Sequence, residues 1–172
     1  LDWTLARLRD PRRGPAPAAL ILSGPLLEVA VRLPAWKRAA AGFLARVAPG
    51  LHLANEIPLE DLCTDEQVVA AYAVDPLREG RSTPGWYAEM QKARARVLTG
   101  LPELRLPAQF HLAGDERIVC AAAVERAALA DPANRELLRW PHGRHELLME
   151  PFQDEVRRSM TDFLLAHAAI SA

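Results

Sequence analysis

The chain has 172 residues, half of them apolar, with 21 basic against 22 acidic side chains and a formal net charge of −1. That length and apolar content suffice for the sizeable core of an ordinary globular domain and argue against disorder. The charge balance creates no long-range field to concentrate nucleic acid or an anionic membrane, so no nucleic-acid partner is expected.

In chain order, Leu1, Leu5 and Leu8 recur at helical spacing up to Arg9-Asp10-Pro11, so the chain opens in a helix. Arg7, Arg9, Arg12 and Arg13 form a short basic stretch read as a solvated helix end without function. The first residues alternate apolar with charged and form no signal-peptide core; any targeting segment upstream of Leu1 is left open. Ala18 to Leu22, bounded by Ser23-Gly24-Pro25, is a short apolar run of the kind buried on both faces of a parallel sheet. From Leu26 to about Leu104 the pattern turns helical, broken by prolines: Trp36, Phe43, Leu44 and Val47 stand at three- and four-residue steps. Further helices are expected from Val68 to Tyr72 and from Trp86 to Val97. Pro107 to Leu112 reads as a second strand, a helix follows through Val124 to Leu129, and Arg135 to Trp140 is a third strand. A last helix runs from Pro151 to about His167. Alternation of strand and helix predicts an α/β fold with a parallel sheet, split into a core over 1–25 and 105–172 and a helical insert over 26–104.

No apolar run reaches the roughly 18 residues that span a bilayer. Cys63 and Cys120 lack any Cys-x-x-Cys spacing, which suggests neither a thiolate zinc site nor a disulfide framework; a reducing, cytoplasmic setting is expected.

Reacting groups in an open parallel sheet gather beyond the carboxyl ends of the strands. Asp115 and His145 both fall there, each after a glycine that permits a sharp turn, Gly114 and Gly143. A carboxylate beside an imidazole fixes the ring's tautomer and stabilises the imidazolium formed when the ring takes a proton. Taken singly, Asp115 also reads as a helix cap and His145 as a loop histidine bonded to a carbonyl. The order, acid then histidine after late strands, favours the catalytic pair. His142, His145, Glu146 and Glu150 do not read as a metal set, because Pro141 and Gly143 break the helix that would align them. His111, inside an apolar strand, reads as a packed and hydrogen-bonded histidine. Trp36, Phe43, Leu44, Trp86 and Met90 read either as plain core or as the lining of an acyl pocket.

Leu20-Ile21-Leu22-Ser23-Gly24-Pro25, Asp75-Pro76-Leu77, Leu112 to Val119 and Gly143 to Pro151 together resemble the monoacylglycerol lipase and lysophospholipase branch of the α/β-hydrolases, over nearly the whole chain. The resemblance implies that Asp115 is the acid and His145 the general base of a Ser-His-Asp triad. It further implies that 26–104 is a lid over an acyl-binding pocket, with Trp36, Phe43, Trp86 and Met90 as candidate substrate contacts. Small acyl esters such as monoacylglycerols or lysophospholipids are the implied substrates, and no cofactor is implied.

The departure from the family is its Gly-x-Ser-x-Gly nucleophile elbow, which occurs nowhere in these residues. Ser23 has Ile21 and Pro25 where an elbow needs glycines, and Ser82 and Ser159 read as surface residues. The nucleophile and both oxyanion-hole donors are therefore expected upstream, on an N-terminal half of the same fold. The rival expectation, from another class, is a non-catalytic binding or interaction module that has lost the elbow.

Overall fold

In the computed structural model, which describes all residues except 11, 13, 16, 31–33, 55, 56 and 169–172, the apolar run at Ala108–Ala113 is the middle of a three-stranded parallel sheet. The elements in chain order are α1 (Asp2–Arg9), β1 (Leu20–Ser23), α2 (Ala35–Val47), β2 (Leu53–Ala54), α3 (Glu66–Val74), β3 (Arg81–Ser82), α4 (Pro84–Gly100), β4 (Ala108–Ala113), α5 (Ala121–Leu129), β5 (Arg135–Trp140) and α6 (Gln153–Ala168). The sheet order is β1-β4-β5, with Ser23 beside His111 and Ala113 beside Trp140 at the carboxyl ends. All three ends therefore open on the same side of the sheet.

Strand alternation sends Ala108, Phe110 and Leu112 to one face, where they are fully buried and share a core with Leu5 of α1, Val97 of α4, Leu101 just after α4, and Val124 and Ala128 of α5. The opposite face carries Gln109, His111 and Ala113, and Ala113 packs with Leu147 and with Val156 of α6. Two polar side chains in that position need partners, since an unbonded buried polar group is costly. They have them. The His111 Nε2–H donates to Gln109 Oε1 at 2.7 Å, Gln109 Nε2 donates to Glu136 Oε2 at 3.0 Å, and the Trp140 indole donates to His111 Nδ1 at 3.1 Å. His111 is thus the packed, bonded histidine expected, and burial holds its pKa below the ordinary imidazole value.

The segment between β1 and β4 is mainly helical. Thr83 caps α4 by accepting the Trp86 N–H at 3.1 Å, and Asp65 caps α3 by accepting from Gln67 and Val68. The short antiparallel ribbon β2–β3 was beyond sequence reading, because two-residue strands carry no periodicity. Leu27, Leu101 and Leu104, at the two ends of this segment, lie in the same core as β4. Arg7 differs from the solvated helix end expected: it is buried, and its Nε donates to the Pro15 carbonyl at 3.0 Å. Among the described residues, no helix is long and apolar enough to cross a membrane.

Candidate active site

The turns after β4 and β5 interlock through backbone hydrogen bonds. Gly114 N–H donates to Trp140 O at 2.8 Å, Asp115 N–H to Gly143 O at 3.0 Å, and Gly143 N–H to Trp140 O at 3.0 Å. A Cβ on Gly114 would lie 2.4 Å from the Pro141 carbonyl oxygen, so only glycine lets the two turns come this close. The turn after β1 closes the group: Gly24 N–H donates to His111 O at 3.0 Å, and its φ of +48° is a left-handed conformation suited to glycine. A Cβ there would stand 2.8 Å from His145 Cε1. Gly24 makes room for the imidazole.

Two side chains meet in this space. His145 Nδ1 lies 3.1 and 3.0 Å from the two carboxylate oxygens of Glu116. The Glu116 side chain is 1% exposed and the His145 ring 20%. Glu116 Oε1 also accepts the N–H groups of Ile118 at 2.9 Å and Val119 at 3.1 Å, which fixes the carboxylate from its own turn. Burial by itself would raise the Glu116 pKa, but the bond to His145 and the two backbone donors outweigh it and hold the carboxyl below its ordinary value. Burial by itself would lower the His145 pKa; the hydrogen bond and charge of Glu116, helped by Glu146, outweigh it and raise the imidazole. With Nδ1–H turned to the carboxylate, Nε2 is the basic nitrogen. The pair can take a proton from a nucleophile and hold the resulting charge.

The expected partnership of Asp115 with His145 is not what forms. Asp115 is bound side-on by Arg117, Nε to Oδ1 at 2.9 Å and Nη2 to Oδ2 at 2.7 Å, with Arg144 Nε 3.6 Å away. Its side chain is 47% exposed, and Arg117 above all lowers its pKa. The reason is local geometry: neighbouring residues in the turn after Gly114 point apart, Asp115 outward to the arginines and Glu116 inward to the ring. Asp115 caps no helix either, since the first turn of α5 follows Cys120 with no side-chain cap. The available signal was position. Glu116 stands between Asp115 and Arg117, two residues before the apolar pair Ile118-Val119, and a carboxylate that turns back onto the N–H groups of that pair faces inward.

The other candidates lie apart from this pair. Trp36 and Phe43 stand on α2, and Trp86 and Met90 on α4, which packs against α2. Trp36, Phe43 and Trp86 are more than half exposed, and Met90 is partly buried. Among the described residues, one open groove lies between Gln109, Glu136 and α6 and another between Leu101, Arg126 and Arg135; neither takes in those four residues. Ser23 is exposed at the end of β1.

A profile described as "Serine aminopeptidase, S33" matches residues 4–152. Phospholipase YtpA of Bacillus subtilis is 25% identical over 157 residues, which cover 88% of this chain and 60% of that protein. Monoacylglycerol lipase of Mycolicibacterium smegmatis is 26% identical over 162 residues, covering 87% of this chain and 54% of its own length. The crystal structure of Paleococcus ferrophilus monoacylglycerol lipase matches with a TM-score of 0.82 at 20% identity, over 95% of this chain and 65% of that one. A soluble variant of Saccharomyces cerevisiae monoglyceride lipase matches with a TM-score of 0.78 at 18% identity, over 96% of this chain and 58% of that one. The chain therefore spans little more than half the length of the two curated relatives. The structural likeness shows the fold, the C-terminal part of an α/β-hydrolase.

Proposed function

The chain belongs to the serine aminopeptidase S33 family and is related to the monoacylglycerol lipases among the α/β-hydrolases, and from that premise we propose that it supplies the base and acid of a serine esterase. In this reading His145 is the general base and Glu116, in place of Asp115, is the acid. The nucleophilic serine and the oxyanion-hole donors come from an N-terminal part of the same fold outside these residues. The observation that carries the proposal is the buried contact of about 3.0 Å between Glu116 and His145 Nδ1 at the carboxyl ends of adjacent parallel strands.

His145 Nε2 removes the serine proton as the oxygen attacks the acyl carbon, while Glu116 holds Nδ1–H and stabilises the imidazolium. The imidazolium then protonates the departing alkoxide, leaving an acyl-enzyme. Water attacks that ester with His145 again as base, and the carboxylic acid leaves. One relative is named a monoacylglycerol lipase and another a phospholipase, which supports lipid acyl esters as substrates, and monoacylglycerols or lysophospholipids are the members of that class in this reading. Residues 26–104 would form the cap, with Trp36, Phe43, Trp86 and Met90 contacting the acyl chain.

Full-length protein treated with a fluorophosphonate should be labelled on a serine outside residues 1–172, and His145→Ala should abolish labelling. Folded protein that resists the reagent would instead support the non-catalytic reading.

A further inference from the structure

Residues 60–64 run alongside the turn that carries His145. Glu146 N–H donates to the Leu62 carbonyl at 2.8 Å. The Cys63 thiol donates to the Met149 carbonyl at 3.2 Å, and the Arg144 guanidinium donates to the carbonyls of Glu60 and Cys63. Glu150, 0% exposed, accepts the Thr64 N–H at 3.2 Å, the Thr64 hydroxyl, and the Arg144 N–H at 2.7 Å. A carboxylate so deeply buried is costly unless donors surround it, and these come from both segments. Arg117 extends the same strap to the acid's turn, with Nη1 3.0 Å from Asp61 while its other nitrogens hold Asp115. The backbone is therefore clamped on each side of His145: Arg144 N–H by Glu150, and Glu146 N–H by Leu62.

We infer that Glu150 is a positioning residue: by locking the strap 60–64 to the turn 144–150 it sets where the His145 ring stands relative to Glu116. The inference rests on the esterase reading for its effect on rate. An apolar residue at position 150 would fill the same space, yet it would leave the Arg144 and Thr64 N–H groups without an acceptor and the turn free to shift. A displacement of about 1 Å at a reacting group costs roughly 100-fold in rate.

The test uses full-length protein, with active sites counted by fluorophosphonate, and compares Glu150→Gln, Thr64→Val and Thr64→Ser. The amide of Glu150→Gln offers one acceptor oxygen in place of two, and Thr64→Val removes only the hydroxyl at an exposed position. Glu150→Gln should lower kcat per active site by roughly 10- to 100-fold with little change in KM. Thr64→Val should act in the same direction to a smaller extent, and Thr64→Ser should behave as wild type. The acid limb of the kcat/KM profile should also move to lower pH, because a ring that drifts from Glu116 loses the charge that raises it. The groups acting on that ring are Glu116 and the adjacent Glu146; Arg144 flanks it, and the strap adds Glu60 and the Arg117-bound Asp61. Wild-type kcat and an unmoved acid limb in both Glu150→Gln and Thr64→Val would reduce Glu150 to a folding role and overturn the inference. If Glu150→Gln does not fold, Thr64→Val against Thr64→Ser decides. If wild-type protein is not labelled, the esterase reading fails separately, and an NMR titration of His145 still reads the strap: its midpoint should fall in Thr64→Val, and an unchanged midpoint would refute it.

Discussion

The turns beyond β4 and β5 and the helix α2 treat water in opposite ways. At the turns, a carboxylate and an imidazole are withdrawn from solvent and almost every polar atom has a partner: Glu116 takes His145, Ile118 and Val119, and Glu150 takes Arg144 and Thr64. Along α2 no residue is buried, and Trp36, Phe43 and Val47, on one face at seven- and four-residue steps, are at least 60% exposed. Polar groups are placed by a rigid sheet while large apolar groups are left facing outward, so chemistry and apolar surface belong to different parts of the molecule. Substitutions in the two parts should therefore fail in different ways.

The sharpest break in that contrast would come within the turns. In full-length protein, Glu116→Gln keeps the shape of the side chain but removes the charge that holds the ring tautomer, and should lower kcat by about 10³- to 10⁴-fold, measured on a short acyl ester. Asp115→Asn, one residue away, should cost less than about tenfold, since it touches arginines and not the ring. The reverse ranking would restore Asp115 as the acid and sink the assignment of Glu116. Next in size, Phe110→Ala opens a cavity in the middle of the sheet, where Phe110 is 0% exposed, and should destabilise by about 3–5 kcal/mol in urea unfolding.

Much of this was legible in the sequence. The three strands, their parallel order, α5 and the turn that holds His145 follow from short apolar or alternating runs bounded by turn residues, most plainly at β4, whose six residues are all buried, and less so at β1 and β5, which keep partly exposed positions. What was hidden was direction within a turn. Asp115 and Glu116 are adjacent carboxylates, and which one faces the imidazole depends on how the turn leaves Gly114, a backbone geometry set by contact with Pro141. Gly24 was legible as a turn residue and not as the space for a ring contributed from 121 residues further on (145 − 24). In the sequence Glu150 stands out only beside His142, His145 and Glu146, because the strap that occupies it is distant in sequence. Long-range polar contacts leave no local period to read.

The Glu116–His145 pair also predicts a pH dependence with two opposite limbs. His145 is raised, so its contribution to stability is complete below the ordinary imidazole value of about 6.5 and is lost as pH rises through its folded value. Glu116 is lowered, so its contribution is complete above the ordinary carboxylate value of about 4.3 and is lost as pH falls through its folded value. The pair should stabilise most between those two ordinary values. Unfolding free energy measured against pH should show a maximum there that Glu116→Gln flattens; an unchanged curve would mean the contact does not persist in solution. If His145 is the base, as proposed, activity follows a different rule, since the base must be neutral, and its acid limb should lie above about 6.5.

The smallest effect on stability is expected at Trp36, and it tests the other side of the contrast. The ring is 68% exposed and its described neighbour is the Lys37 ammonium, 5.8 Å from the ring centroid. An exposed cation–π contact contributes roughly 0.5–1 kcal/mol at most, and surface substitutions usually fall within about 0.5 kcal/mol, so Trp36→Ala should leave the urea midpoint almost unmoved. If the exposed face of α2 meets the acyl chain, the same substitution should raise KM for long-chain esters and leave short-chain esters and kcat untouched, because contacts far from the reacting carbon bind substrate and transition state alike. A fall in kcat for short esters would instead place Trp36 near the chemistry, and a loss of stability comparable to that of Phe110→Ala would mean that α2 is covered in the full-length protein. Either result would erase the division between a buried polar site and the exposed apolar face of α2.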